Sequence, residues 1–112
     1  MTLKKRILGQ SAIEVTEIGL GLWAAGGGDW GAADTEADAA SLNAIDAALD
    51  EGVNFFDTAN IYQGEHGASE AMLAEALGSR RADVIIGTKF GAGGRGPAEG
   101  GGSREHIMEC VE

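Results

Sequence analysis

The feature that most constrains this chain is an alternation. Three short, largely apolar runs, Ile18–Trp23, Val53–Phe56 and Val84–Thr88, are separated by segments with helical spacing. Ahead of them, Leu3–Leu8 and Ala12–Glu17 read as a hairpin that turns at Gly9-Gln10-Ser11, with Ile13 and Val15 alternating against Glu14. In the first helical segment, Asp34 or Thr35 is placed to cap, with Glu36 and Asp38 in the first turn. Leu42, Ile45 and Leu49 share a face with Ala48, and Gly52 takes the C-terminal stop. In the second, Ser69 is placed to cap, with Glu70 in the first turn. Met72, Leu73, Ala76 and Leu77 form its apolar face, and Gly78 ends it ahead of Arg80 and Arg81. A third helix, capped by Ser103, carries Ile107 and Val111 at i, i+4. This order predicts an α/β protein: a leading hairpin, then a parallel sheet covered by helices on both faces, with right-handed crossovers. Such units build either a doubly wound sheet or a (β/α)8 barrel, and in both, ligands gather beyond the carboxyl ends of the strands.

Composition narrows the function. At 112 residues the chain suits one domain. Eight Lys and Arg against eighteen Asp and Glu leave a net charge of −10, which argues against nucleic acid and anionic membranes as partners. Cys110 is the single cysteine, so an internal disulfide is excluded, and no spacing of a metal site is present. The basic start, Lys4-Lys5-Arg6, has no apolar stretch of signal-peptide length behind it, and no run approaches the ~20 residues that span a bilayer. A reduced, cytoplasmic setting is the default expectation.

Asp57 and Lys89 fall at the ends of the second and third runs, and Tyr62 follows Asp57 by five residues. Tyrosine is a reluctant acid, with an ordinary pKa near 10. A neighbouring ammonium favours the phenolate, and a carboxylate beside the lysine keeps it charged and oriented. The three residues could form a tuned general acid for a carbonyl that is accepting hydride. A buried Asp–Lys pair with a packing tyrosine fits the same spacing equally well.

The residues around them add a resemblance. Gly52-Val53-Asn54-Phe55-Phe56-Asp57-Thr58-Ala59-Asn60-Ile61-Tyr62, with Gly64 and Gly67-Ala68-Ser69-Glu70 after it, resembles the signature of the aldo-keto reductases. Ile85–Lys89 is similar to that family's lysine-bearing strand, Gly19–Trp23 to its first barrel strand, and the hairpin to the one that plugs the barrel floor. The resemblance implies an NAD(P)H-dependent reductase of aldehydes or ketones on a TIM barrel, with NADPH favoured and a small carbonyl compound as substrate. By it, Tyr62 is the proton donor, Lys89 and Asp57 tune it, and Asn54 is a motif position without a catalytic role. The backbone of Gly21, Leu22 and Trp23, together with Asp57, lies near the nicotinamide. Trp23 either walls the substrate pocket or packs the barrel mouth.

The family's fourth catalytic residue is a histidine on the next strand, beyond residue 112, and its main phosphate-binding elements are later still. His66, in the loop after Tyr62, and His106, expected to be exposed in the first turn of the last helix, do not replace it. A barrel takes ~250 residues, so residues 1–112 are expected to be one incomplete domain, the N-terminal part of a barrel with three of eight strands. The expectation is a truncated product or fragment, prone to self-association through its open edge. The alternative is an inactive remnant with a binding or regulatory role.

Gly91-Ala92-Gly93-Gly94-Arg95-Gly96 fits G-x-G-x-x-G, but Pro97, Glu99 and three more glycines precede Ser103. A dinucleotide fingerprint needs its helix to open at once, so the segment reads as a loop over the barrel mouth, with Arg95 a solvated side chain. Arg80, Arg81, Glu70 and Cys110 are given no chemistry.

Overall fold

The computed structural model describes residues 2–25, 35–62, 67–91 and 101–111. Gly26–Gly28, Asp34, His66 and Arg95 lie outside the described residues, as does the side chain of Thr35. Strands β1 (Lys5–Ile7) and β2 (Glu14–Thr16) pair antiparallel, Arg6 opposite Val15, and form the expected hairpin. The second sheet is parallel, in the order β3 (Leu20–Gly21), β4 (Phe55–Asp57), β5 (Ile85–Gly87). Its register sets Gly21 beside Asp57 and Asp57 beside Gly87. Helices α1 (Thr35–Asp50) and α2 (Ala68–Leu77) make the crossovers, and α3 (Arg104–Val111) follows β5. Each strand is shorter than its apolar run, and the first run begins at a bend (Ile18) and ends in a turn (Trp23).

Helix α1 ends in a Schellman motif. Val53 N–H reaches Ala48 O at 2.9 Å and Gly52 N–H reaches Leu49 O at 2.9 Å, with Gly52 at φ +86°. That left-handed residue turns the chain straight into β4, which is why Gly52 stands there. Helix α2 starts differently from the sequence expectation. Gly67, at φ +78°, is its N-cap, and Ser69 lies inside the first turn, fully buried. Ser69 does not cap, because its hydroxyl is engaged at 2.8 Å with the equally buried Thr58 hydroxyl. At the other end, Gly78 opens a 3₁₀ segment, Gly78–Asp83. Arg80 within it donates to Ala76 O at 2.8 Å and pairs with Asp46 of α1, so it ties together two helices and the C-terminal carbonyls of one.

The core is one-sided. Leu22, Ile45, Phe56, Leu73, Leu77 and Val84 are buried together, with Leu49, Val53 and Ile86 packed against them. Phe56, in the middle of β4, is the sheet's anchor toward the helices. The expected cover on both sheet faces is therefore absent among the described residues. Phe55 and Asp57, on the opposite face by strand alternation, line an open cavity of about 470 Å³ whose other wall is the hairpin, including Val15 and Thr16. In a barrel that face is the interior, which is closed by further strands rather than by helices.

The hairpin is held to the sheet by Asn54. Its Oδ1 accepts from Thr16 N–H at 2.7 Å, its Nδ2 donates to Glu14 O at 3.0 Å, and its own N–H donates to Thr16 Oγ1 at 3.2 Å. Gly19 permits the close packing beside this joint, since a Cβ there would sit 2.9 Å from the Phe55 ring.

Candidate active site

Three backbone hydrogen bonds extend the sheet beyond its formal strands and build the site. Leu22 N–H reaches Asp57 O at 2.9 Å, Thr58 N–H reaches Gly87 O at 2.8 Å, and Asn60 N–H reaches Lys89 O at 3.3 Å. They keep the chain after β4 alongside the chain after β5. Lys89, two residues past Gly87, projects to the same side as Asp57.

The expected triplet assembles. Lys89 Nζ lies 2.9 and 3.0 Å from the Asp57 carboxylate oxygens, 3.0 Å from Tyr62 OH and 2.7 Å from Thr58 O. An ammonium has three protons, and here three partners take them. The Tyr62 hydroxyl oxygen accepts from Lys89, so its own proton remains available to another acceptor. The ammonium also lies 4.8 Å from the Tyr62 ring centroid. Burial draws the Lys89 pKa down, but the hydrogen bonds it donates to Tyr62 and Asp57 and the Asp57 charge outweigh that, leaving the group above its ordinary 10.5. The Lys89 and Asp57 side chains are each about half exposed, at 50% and 48%. The site therefore opens to solvent, and the pair is not a buried structural one.

Trp23 faces the phenol, with ring centroids 6.4 Å apart and planes 28° from parallel, and it is 55% exposed. Gly21 lines the same cavity as Asp57, and a Cβ placed on it would meet nothing within 4 Å. Leu22 differs from its neighbours. Its side chain is in the core and its N–H is committed to Asp57 O.

Two partners of this site escaped the sequence reading. Thr58 supplies a backbone carbonyl to Lys89, for which a side-chain pattern carries no signal. Thr88 donates to Glu70 Oε1 at 2.5 Å, fastening the strand end that bears Lys89 to the start of α2. Glu70 thus bonds a neighbouring strand end as well as lying at the positive end of its helix. His106 was expected to be exposed and is buried, 9% accessible, since its ring turns along α3 toward Cys110. Ser103 caps α3 as expected, its hydroxyl accepting from His106 N–H at 3.2 Å.

With this geometry in place, comparison with known proteins is decisive. The model of the aldo/keto reductase family matches residues 17–112. The chain belongs to that family.

Aldo/keto reductases are oxidoreductases, and relatives agree in sequence and fold. A protein of Oryza sativa subsp. japonica described as "probable voltage-gated potassium channel subunit beta" is 37% identical, over 91% of this chain and 30% of its own. The "uncharacterized oxidoreductase YqkF" of Bacillus subtilis (strain 168) is 34% identical, over 98% of this chain and 33% of its own. The holo form of the aldo-keto reductase AKR11C1 from Bacillus halodurans superposes with a TM-score of 0.65 at 34% identity, covering 80% of this chain and 26% of that one. The chain thus spans about a third or less of the length of these relatives. Its hairpin and three βα units are the N-terminal part of a (β/α)8 barrel of this family.

Proposed function

We propose that this chain carries the proton-delivery half of an NAD(P)H-dependent reductase of aldehydes or ketones, with Tyr62 as donor and Lys89 and Asp57 as its tuning pair. The observation that carries the reading is the Lys89 ammonium shared between Tyr62 OH at 3.0 Å and the Asp57 carboxylate at 2.9 Å. A carbonyl oxygen accepting hydride gains negative charge, and Tyr62 gives it a proton. The phenolate left behind is stabilised by the ammonium already bonded to its oxygen, while Asp57 holds that ammonium in place.

The residues present fit the reacting end of a nicotinamide cofactor. Open space beside the Cβ-less Gly21 lets a flat ring approach the backbone next to Asp57, and Trp23 forms a wall. When bound, such a cofactor supplies the hydride. Gly21 and Trp23 would contact it through backbone and ring, with Asp57 alongside. Leu22 would serve by fixing those two neighbours from the core. NADPH in preference to NADH, a small carbonyl substrate and a reduced cytoplasmic setting rest on the family resemblance and on the free Cys110. Among the described residues, no helix is long and apolar enough to cross a membrane. Residues 1–112 are proposed to form one incomplete barrel domain that self-associates when alone.

NADPH oxidation by the 112-residue chain with a panel of aldehydes is expected to be negligible. A chimaera joining it to the remaining strands of a family barrel is expected to turn over, and Tyr62→Phe to reduce kcat by ~10³-fold with NADPH binding retained. A folded, NADPH-binding chimaera whose turnover survives Tyr62→Phe would sink the proposal. A binding or regulatory role is the second reading, favoured by the potassium-channel subunit description of the rice relative. It predicts a chimaera that binds nicotinamide without turnover.

A further inference from the structure

The first turn of α2 grips the carboxyl ends of all three parallel strands. The buried Ser69 hydroxyl lies 2.8 Å from the Thr58 hydroxyl, just past β4, and donates to Leu22 O, just past β3, at 3.5 Å. On the next residue, Glu70 Oε1 accepts from the Thr88 hydroxyl, just past β5, at 2.5 Å. Lys89 depends on two of these points. It follows Thr88 in the chain, and its ammonium donates to Thr58 O at 2.7 Å. Alternation along the strand sends the Thr88 side chain toward α2 and the Lys89 side chain toward Asp57 and Tyr62. A bond that pins Thr88 thus fixes the peptide from which the lysine stem departs.

We propose that Glu70 and Ser69 are positioning residues for the proton-delivery site. Glu70 fixes the root of Lys89 through Thr88, and Ser69 fixes, through Thr58, the carbonyl that receives the ammonium. The need is physical. A lysine carries its charge on a long flexible stem, and this one is half exposed, so contact with Asp57 and Tyr62 alone would leave the stem several conformations. Holding both its root and one of its acceptors leaves the ammonium a single place, between carboxylate and phenol. The Thr88–Glu70 bond is short and charge-assisted, which makes it stronger than a neutral pair. The Glu70 carboxylate also lies in the first turn of α2, where the helix dipole favours its charged form. The placement of Lys89 is a property of this chain, and its effect on turnover rests on Tyr62 being the proton donor.

The test is NMR titration of the Lys89 side chain in the 112-residue chain carrying isotope-labelled lysine. Thr88→Val keeps the shape of the exposed strand end and removes its hydroxyl, and Glu70→Ala removes the acceptor. Both are expected to move the Lys89 pKa down toward its ordinary 10.5. Thr88→Ser, which keeps the hydroxyl, and Glu70→Gln, which keeps an acceptor without the charge, should hold it above that value. Arg80→Gln cuts the ties at the other end of α2. It should lower the denaturant midpoint and leave Lys89 unmoved. In the family-barrel chimaera, Thr88→Val is expected to reduce kcat about tenfold with KM for NADPH unchanged. A Lys89 pKa that ignores both Thr88→Val and Glu70→Ala, or that Arg80→Gln moves equally far, would overturn the proposal. So would Glu70→Gln acting as strongly as Glu70→Ala, since direct charge would then replace positioning. A chimaera without turnover whose Lys89 shifts as expected supports the positioning role and counts against Tyr62 as donor.

Discussion

Lys89 is where sequence spacing becomes contact, with Asp57 and Tyr62 both on its ammonium, and its ionisation yields a prediction at the scale of one residue. Its pKa in the folded chain is raised above the ordinary 10.5. The sign follows from linkage: its contribution to stability is fully present below the unfolded value and is lost as pH rises through the folded one. The denaturant midpoint of the parent chain should therefore fall toward that of Lys89→Met above about pH 10.5 and stay apart from it at neutral pH. Half-exposed partners are screened by solvent and salt, so the gap should shrink as salt is added. Direct titration of the Lys89 side chain by NMR should give a lower pKa in Asp57→Asn than in the parent. An unchanged value there would remove Asp57 from the tuning pair. Asn54 supports a second prediction. It bonds two backbone groups of the hairpin, so Asn54→Ala should lower stability by about 1–3 kcal/mol, measured by urea titration. The motif position is explained by the joint it makes, at the opposite end of β4 from the site.

At the scale of elements, the helix ends decide how strands and site line up. Gly52 occupies the left-handed residue of the Schellman motif and hands the chain from α1 to β4. Gly52→Ala should cost about 1 kcal/mol, seen as a lower thermal midpoint, because a Cβ is disfavoured in that conformation. The sequence made this stop legible through a glycine directly after a periodic apolar face. It did not make the start of α2 legible. Ser69 has the chemistry of a cap, yet the fold places it two residues past the Gly67 cap, where Thr58 takes its hydroxyl. His106 misled in the same way. Local pattern placed it in an exposed first turn, whereas its ring lies along α3 against Cys110, the residue that Asn60 of the loop after β4 also reaches, and is buried. A single helix cannot report which side of it another segment will cover.

At the scale of the whole molecule, a parallel sheet of three short strands with one covered face leaves β3 and β5 as edges among the described residues. Phe55 and Asp57 on the uncovered face line an open cavity, and Ile18 and Phe90 are exposed at 63% and 51%. Unpaired strand edges beside apolar surface promote association. Sedimentation velocity on the isolated chain is expected to show concentration-dependent oligomers and weak hydrogen-exchange protection. A monomer that unfolds sharply in a two-state transition, with strong protection in β3 and β5, would contradict this.

The sequence by itself determined the alternation of strands and helices, the faces of α1 and α2 that meet the core, and the family resemblance of the Gly52–Tyr62 block. These are local matters, set by periodicity, glycine stops and short-range motif order. It also named Asp57, Tyr62 and Lys89, but left their proximity open. Only the tertiary structure decided that proximity, because it depends on the parallel register of β4 with β5 and on carbonyls such as Thr58 O that carry no residue signature. The same long-range packing brought Asn60 from one loop to Cys110 on α3. Contacts between segments fifty residues apart are fixed by how the sheet is registered and covered, which no local pattern encodes.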